Sequence, residues 1–423
     1  LTDTDTLVAR DPGTLTGLLR DPATIRRRCR QITAAVDAGH SAHFRIDRRQ
    51  LPAVAQRIAQ LTRQHFPDLQ IPYHSRWRHF EAGGVDRKDE LDTLLAGAGT
   101  AELARARIDL TLVSVLLDAG AGAGWTCHEE ASGRSFGRSE GLAVATFRAF
   151  LGGAFSSDPE RPCQVDARGL LTLDAGTLAA IFQVSDLNPL VGLDGRVALM
   201  HGLGQALAAQ PARFGADGRP GRMFDRLSAR AAARDPAVPT LPARELLAEL
   251  LDAFSTIWPS GQWIDGEALG DVWPHPHAGA ADEVAAGWVP FHKLSQWLSY
   301  SLLEPFEWSG IAVAGLDELT GLPEYRNGGL LLDAGVLVPL RPEVMSRPLS
   351  PADPWVIEWR ALTITLLDEL APRVRAELGA SAEALPLACM LEGGSWAAGR
   401  QIAAERRPGG APPVQIDSDG TVF

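Results

Sequence analysis

The sequence predicts a mainly helical protein, a compact multi-helix body carrying a small minor sheet. Three observations predict it. Apolar residues recur at three- and four-residue spacing through long segments. Those segments open on Asp, Ser, Thr or Pro and close on Gly. Strand-like runs are few and do not alternate regularly with helices, so a doubly wound sheet is not expected. No internal repeat recurs at a fixed period.

The helices follow in chain order. "RDPATIRRRCRQITAAVDAG" has Asp21 as N-cap, Pro22 in the first turn and Gly39 as stop. "QLPAVAQRIAQLTRQHF" continues the apolar spacing. "TAELARARIDLTLVSVLLDAG" predicts a long helix capped by Thr100 and stopped by Gly120. "RSEGLAVATFRAFLGG" opens on Ser139 and stops at Gly152. Further helices are expected over 176–183, 196–209, 243–257, 290–304, 354–378 and 395–406. Strands are expected at 42–47, 329–340 and 414–423. The Pro-, Gly- and Arg-rich stretch 210–242 reads as a linker or a surface excursion, and 339–354 as a second break. One compact domain over 1–423, with two lobes as a variant, is expected because polar-aromatic clusters occur on both sides of these breaks.

Composition narrows the function. The 423 residues are 45% hydrophobic and 22% charged, ordinary globular values that argue against disorder. A net charge of −12 gives no global attraction to a phosphate backbone, so no nucleic-acid partner is expected. The four cysteines are far apart with no CxxC pair, which suggests neither a disulfide framework nor a zinc ribbon. The opening "LTDTDTLVARDPG" lacks a basic region followed by an apolar run, so a signal peptide is not expected. No apolar run reaches membrane-spanning length. A cytoplasmic protein without a membrane partner follows. Arginine carries the positive charge, since Lys88 and Lys293 are the two lysines. A lysine retained against that bias hints that an ammonium is wanted there.

Four clusters could carry chemistry. In "IPYHSRWRHFEAGGVDR" (71–87), Pro72 favours an extended entry. If extended, His74, Arg76 and Arg78 share a face that could hold an anion, with Glu81 following. A buried salt-bridge knot would use the same residues. In "DAGAGAGWTCHEEASGRSFGRSEG" (118–141) the dinucleotide fingerprint fails, because its third glycine falls on Trp125. Arg134 and Arg138 precede a helix start there, a fair anion site. In 275–305, His275 and His277 look like a zinc pair but lack a third ligand at a usual offset. His292, Lys293, Gln296 and Tyr300 share one helix face, with Trp297 nearby. They read either as a solvent face or as a pocket wall. In 317–337, Glu324 and Arg326 precede a glycine pair and could sit at a pocket mouth or form an exposed ion pair. No GxSxG, P-loop or HExxH motif occurs. The inventory suits acid–base hydrolysis around a stacked or anionic ligand.

Taken together, "YHSRWRHFEAGGVDR", "RARIDLTLVSVLLDAGAGAGW", "RSEGLAVATFRAF", "FSSDP", "NPLVGLDGR", "VPFHKLSQWLSYSLLEP", "LTGLPEYRNGGL" and "LEGGSWAAGRQIA … SDGTVF" resemble the uracil catabolism protein 4 family over roughly 20–423. The stretch "HKLSQWLSYSLLEP … LTGLPEYRNGGL" is more faintly similar to queuosine 5′-phosphate N-glycosylases, helical proteins of DNA-glycosylase-like fold. An aspartate of that group falls on Phe291 here. The resemblance implies a pathway in which uracil is made into its nucleotide and opened to a ribosylurea phosphate, with urea released later. The expected activity is an N-glycosidic bond hydrolase acting on that small-molecule sugar phosphate, and the missing third ligand near His275 and His277 argues for one without metal or cofactor.

On that expectation Asp118, Glu129 and Glu324 are the candidate carboxylates. Lys293, with Arg326 or an arginine of the 134/138 pair, would hold the 5′-phosphate. Trp125 or Trp297 would flank urea or sugar. His74, Arg76, Arg78, Glu81, His292, Gln296 and Tyr300 complete the binding set. Two alternatives remain open: a metal-dependent amidohydrolase using His275, His277 or His128, and a non-catalytic nucleotide-binding partner of the ring-opening enzyme.

Overall fold

The computed structural model describes residues 14–118, 120–122, 124–258, 262–264 and 266–417. Helix makes up 57% and strand 9%, so the protein is mainly helical as the periodicity predicts. The chain divides into two compact units. Among the described residues, one comprises 14–72, 262–293 and 317–417; the other comprises 73–258 and 294–316.

The first unit is built on the Pro354–Leu378 helix, against which the Pro22–Asp37 and Leu51–His65 helices pack. Asp21 accepts from the Ala23 amide and Asp353 from the Trp355 amide, each satisfying a donor that a helix start leaves over. Ile25, Cys29, Ile32 and Val36 lie buried along one stripe of the first helix. Burying each large aliphatic side chain contributes roughly 1.5–3 kcal/mol. A second pair, Tyr325–Asp333 and Trp396–Arg406, packs closely. A Cβ on Gly399 would overlap the Arg326 carbonyl oxygen, so only glycine permits this approach.

The second unit surrounds the Thr100–Leu116 helix, which is buried without a break from Ala106 to Leu116. Against it pack Arg138–Leu151, Leu193–Ala208 and Met223–Arg234, and Ala243–Phe254 packs on Leu193–Ala208. Of the Lys293–Glu307 helix, all but its first residue belongs to this unit. The stretch 210–242 lies wholly inside the unit and is not where the chain divides. It holds the Met223–Arg234 helix, and it buries Phe214, Met223, Phe224 and Leu227. Its Arg219 is buried against Asp109 at 2.7 Å.

The strands form two-stranded pairs. Four are antiparallel: Phe44–Ile46 with Leu337–Pro339, Thr126–Glu129 with Arg134–Gly137, Gln262–Ile264 with Glu267–Gly270, and Val272–Pro274 with Trp288–Pro290. Thr240–Pro242 pairs in parallel with Ala312–Ala314. No helix among the described residues is long and apolar enough to cross a membrane.

Several local expectations need correction. The strand expected over 329–340 is helix as far as Asp333, and only Leu337–Pro339 pairs as strand. A short apolar run does not by itself distinguish strand from buried helix, and the Glu324 cap decides for helix. The tail expected as strand contributes one bridge, Leu349 to Ile416, and 418–423 lie outside the described residues. Residues 76–80 form the short helix Arg76–Phe80, so the shared face that an extended stretch would give His74, Arg76 and Arg78 does not arise. Thr100 does not cap its helix: Gly99 holds that position, and the helix ends at Leu116, short of Gly120. The helix expected from Ser139 begins at Arg138. The one expected over 290–304 runs Lys293–Glu307, because Trp288–Pro290 is drawn into a strand.

Candidate functional site

The second unit gathers part of the 71–87 cluster around Arg76. Helical geometry at 76–80 turns Arg76 and Arg78 in different directions. Arg76 is fully buried and pairs through Nη1 with Asp118 Oδ1 at 2.8 Å. Its Nε donates to Ser114 Oγ at 2.8 Å and Nη1 to the Ser139 carbonyl at 3.2 Å. The Arg76 amide donates to Ser301 Oγ at 2.9 Å. Arg76 Nη2 is buried and has no hydrogen-bond partner among the described residues.

The Arg76 guanidinium lies 5.8 Å from the Trp297 ring centroid. Trp297 is only 7% exposed, and its Nε1 is a second buried donor with no partner among the described residues. His79 meets the same indole edge-on, with ring centroids 5.9 Å apart. The Nδ1 of His79 is likewise buried and unpartnered among the described residues. Loss of solvation, then Arg76, His74 and Arg78, holds His79 well below the usual histidine range, so its ring is neutral. Buried polar groups are nearly always paired. Three buried polar atoms without a partner among the described residues thus stand around one indole.

The neighbours brace this cluster. Arg78 pairs with Glu304 at 2.7 Å and with Glu81 at 2.9 Å, while Tyr73 donates to Glu307 and Ser75 to Glu304. Burial raises Glu304 and Arg78 opposes that shift. Trp77 Nε1 donates to the Ser301 carbonyl. The salt-bridge knot is therefore present in this stretch, with Arg78 held by Glu304 and Glu81 and Arg76 by Asp118. Arg196, buried, donates to the carbonyls of Leu117, Gly120 and Val191 and so ties down both sides of Asp118. Burial brings its guanidinium down to about 10 and Asp118 acts the other way.

Other residues expected in the site do different work. Glu129 is clamped by Arg87 through both oxygens and by Arg148 Nε at 2.6 Å. Burial would raise its carboxyl, but Arg87, Ser132 and Arg148 outweigh that and hold it at about 2. Trp125 is core: its ring packs on Phe182 and its Nε1 donates to the Phe182 carbonyl. Arg134 is exposed and donates to the Gly83 carbonyl, and Arg138 is exposed with φ +54°. Lys88 pairs with Asp92 at 2.6 Å over the Trp308 ring, a structural use of a rare lysine. Gln296 and Tyr300 are fully buried, which removes the solvent-face reading for both.

In the first unit, Glu324 caps its own helix, accepting from the Arg326 and Asn327 amides at 2.6 Å each. Arg326 donates to the Gly410 carbonyl and lies over the Tyr325 ring. His292, at φ +47°, is buried with Nε2 2.9 Å from the Leu19 carbonyl oxygen. The Lys293 amide donates to Asp271 Oδ2 at 3.0 Å, and Arg360 grips Asp271 bidentately at 2.8 and 2.7 Å. Arg360 stacks on Phe291 at 4.2 Å, the position where an aspartate falls in the fainter resemblance.

Both ring nitrogens of His275 are engaged. Nδ1 accepts from the His277 amide at 3.2 Å, and Nε2 lies 3.4 Å from Glu358 Oε2. His128 is exposed beside Ser135. Among the described residues no group of three or more His, Cys, Asp or Glu side chains is arranged to hold a metal ion.

Sequence reasoning passed over His79, Ser114 and Arg196. Ser114 left a signal, a hydroxyl that with Thr111 interrupts the apolar run "LTLVSVLL". Arg196 left none, because its partners are backbone carbonyls, which no residue type announces.

Residues 18–423 match a family model described as "Protein of unknown function (DUF1688)". The chain is 40% identical over 432 residues to "Uracil catabolism protein 4" of Lachancea kluyveri, covering 95% of this chain and 97% of the relative. It is also 40% identical over 414 residues to "Protein urg3" of Schizosaccharomyces pombe, covering 94% and 96%. With identity at that level over nearly the full length of each relative, the chain belongs to the family of uracil catabolism protein 4 and urg3.

Proposed function

We propose that the chain is a cytoplasmic hydrolase of uracil catabolism that cleaves the N-glycosidic bond of a ring-opened uracil nucleotide, ribosylurea 5-phosphate. The relative's name supplies the pathway. The observation that carries the reaction class is Asp118, held 2.8 Å from a fully buried arginine beside an aromatic ring that presents an unused N–H.

In this reaction the C1′–N bond breaks, its electron pair leaves with the ureido nitrogen, and a water oxygen bonds to C1′. The water gives one proton to the solution or a base, and the leaving nitrogen takes one up. The products are ribose 5-phosphate and urea. Positive charge develops at C1′ in an oxocarbenium-like transition state, which an adjacent carboxylate stabilises. Asp118 is favoured for that role over Glu129 and Glu324. Glu129 is neutralised by two arginines, and both Glu324 oxygens accept backbone amides. The Arg76 bond to the Ser139 carbonyl sets the guanidinium at the first turn of the Arg138–Leu151 helix. That helix start, with Arg138, suits the 5′-phosphate. No metal or cofactor enters this scheme.

The test is incubation of the purified chain with synthetic ribosylurea 5-phosphate, with urea and ribose 5-phosphate assayed separately. Both products should appear in equal amounts. Binding without turnover would support the non-catalytic nucleotide-binding reading instead.

A further inference from the structure

Arg76 Nη2 and Trp297 Nε1 are N–H donors that cannot accept. Each belongs to a side chain at least nine-tenths buried, and neither has a partner among the described residues. The His79 ring meets the same indole edge-on, its Nδ1 is buried without a partner among the described residues, and burial holds the ring well below the usual histidine range. With its proton on Nε2, that nitrogen is an acceptor. In that tautomer the set is two donors and one acceptor around the Trp297 indole.

Charge narrows what fits. Arg76 is already matched by Asp118 at 2.8 Å, and the Glu140 carboxylate also acts on it. A phosphate brought to Nη2 would sit beside those carboxylates, which repel it and leave a neutral group the better match. A neutral planar group with one carbonyl oxygen and an adjacent N–H satisfies all three atoms. The oxygen accepts from Nη2 and Nε1, and the N–H donates to His79.

We infer that Arg76, Trp297 and His79 form a recognition subsite for a neutral ureido or carboxamide group, with His79 as the specificity-determining acceptor. For its substrate, ribosylurea, this rests on the hydrolase reading above. The placement explains why Asp118 and the subsite share one guanidinium. Nη1 holds the carboxylate and Nη2 holds the ureido carbonyl, so the bond from the ureido nitrogen to C1′ is delivered beside Asp118.

N-methylurea, ribose 5-phosphate and inorganic phosphate should be titrated separately into the full chain, following the indole N–H signals by proton–nitrogen NMR. Trp297→Phe assigns the Trp297 signal. N-methylurea should move that signal saturably, and the two phosphates should leave it in place. His79→Leu should weaken N-methylurea by about tenfold, the effect of one lost hydrogen bond near 1.4 kcal/mol. His79→Asn, which keeps an acceptor, should recover part of that loss. Movement by phosphate but not by N-methylurea overturns the assignment, as does no movement with any probe. The two proposals fail separately. N-methylurea bound at Trp297 without cleavage of ribosylurea 5-phosphate removes the hydrolase reading alone. Cleavage with no response at Trp297 removes the subsite alone.

Discussion

Arg76 and Asp118 form an ion pair of 2.8 Å across forty-two positions of sequence, with the arginine fully buried and the carboxylate side chain 7% exposed. A pair so enclosed is strongly destabilising to break from one side, because the remaining charge loses its partner while staying buried. Arg76→Met and Asp118→Leu should each cost roughly 3–5 kcal/mol in denaturant unfolding. The double variant should cost clearly less than the sum, by roughly 0.5–3 kcal/mol of coupling. Simple additivity would show that the two charges do not depend on each other.

Asp118→Asn keeps the shape and removes the charge. If Asp118 stabilises the developing positive charge at C1′, turnover of ribosylurea 5-phosphate should fall by about 10²–10⁴, the usual span for a positioned catalytic carboxylate. Glu324→Gln, which alters a helix cap, should instead cost about 1 kcal/mol of stability and leave the chemical step much less affected. Single-turnover kinetics on folded samples compares the two. Equal losses would move the catalytic role away from Asp118.

Glu129 makes stability depend on pH with a definite sign. Its carboxyl is held at about 2 against an ordinary 4.5, so the folded state favours the charged form. The stabilisation is complete above the ordinary carboxylate range and is lost as pH falls through about 4.5 towards 2. Glu129→Gln should therefore unfold more readily at neutral pH, by roughly 3–5 kcal/mol for a broken buried pair. Its deficit against wild type should shrink in acid. Urea unfolding at a series of pH values gives both curves, and a deficit that stays constant with pH would contradict the clamp.

Gly399 tests the packing of the first unit. A methyl group there runs into the Arg326 carbonyl oxygen, a contact that backbone cannot yield cheaply. Gly399→Ala should destabilise by roughly 1–3 kcal/mol despite alanine's better helix propensity, read as a lowered thermal midpoint. The neighbouring Arg400 is exposed, so Arg400→Ala serves as the control on the same helix and should change little. Equal midpoints for the two variants would show that the helices can part at this crossing without cost.

The sequence by itself determined the helices, because what makes a helix is local. Asp21 with Pro22, Asp353 with Pro354, and the Ile25–Cys29–Ile32–Val36 stripe are all readable within a few residues. It also marked 71–87 as dense in chemistry, and it carried the family. Only the tertiary structure decided which charge meets which. The Arg76–Asp118 pair, the Arg87–Glu129–Arg148 clamp and the Asp271 carboxylate at the Lys293 amide each join residues between nineteen and forty-two positions apart. The same distance effect settled 76–80 as a helix, with the Arg76 amide answered by Ser301 and the Trp77 indole by the Ser301 carbonyl. A polar side chain commits to the partner that burial places beside it, and burial is a property of the packed chain rather than of any window along it.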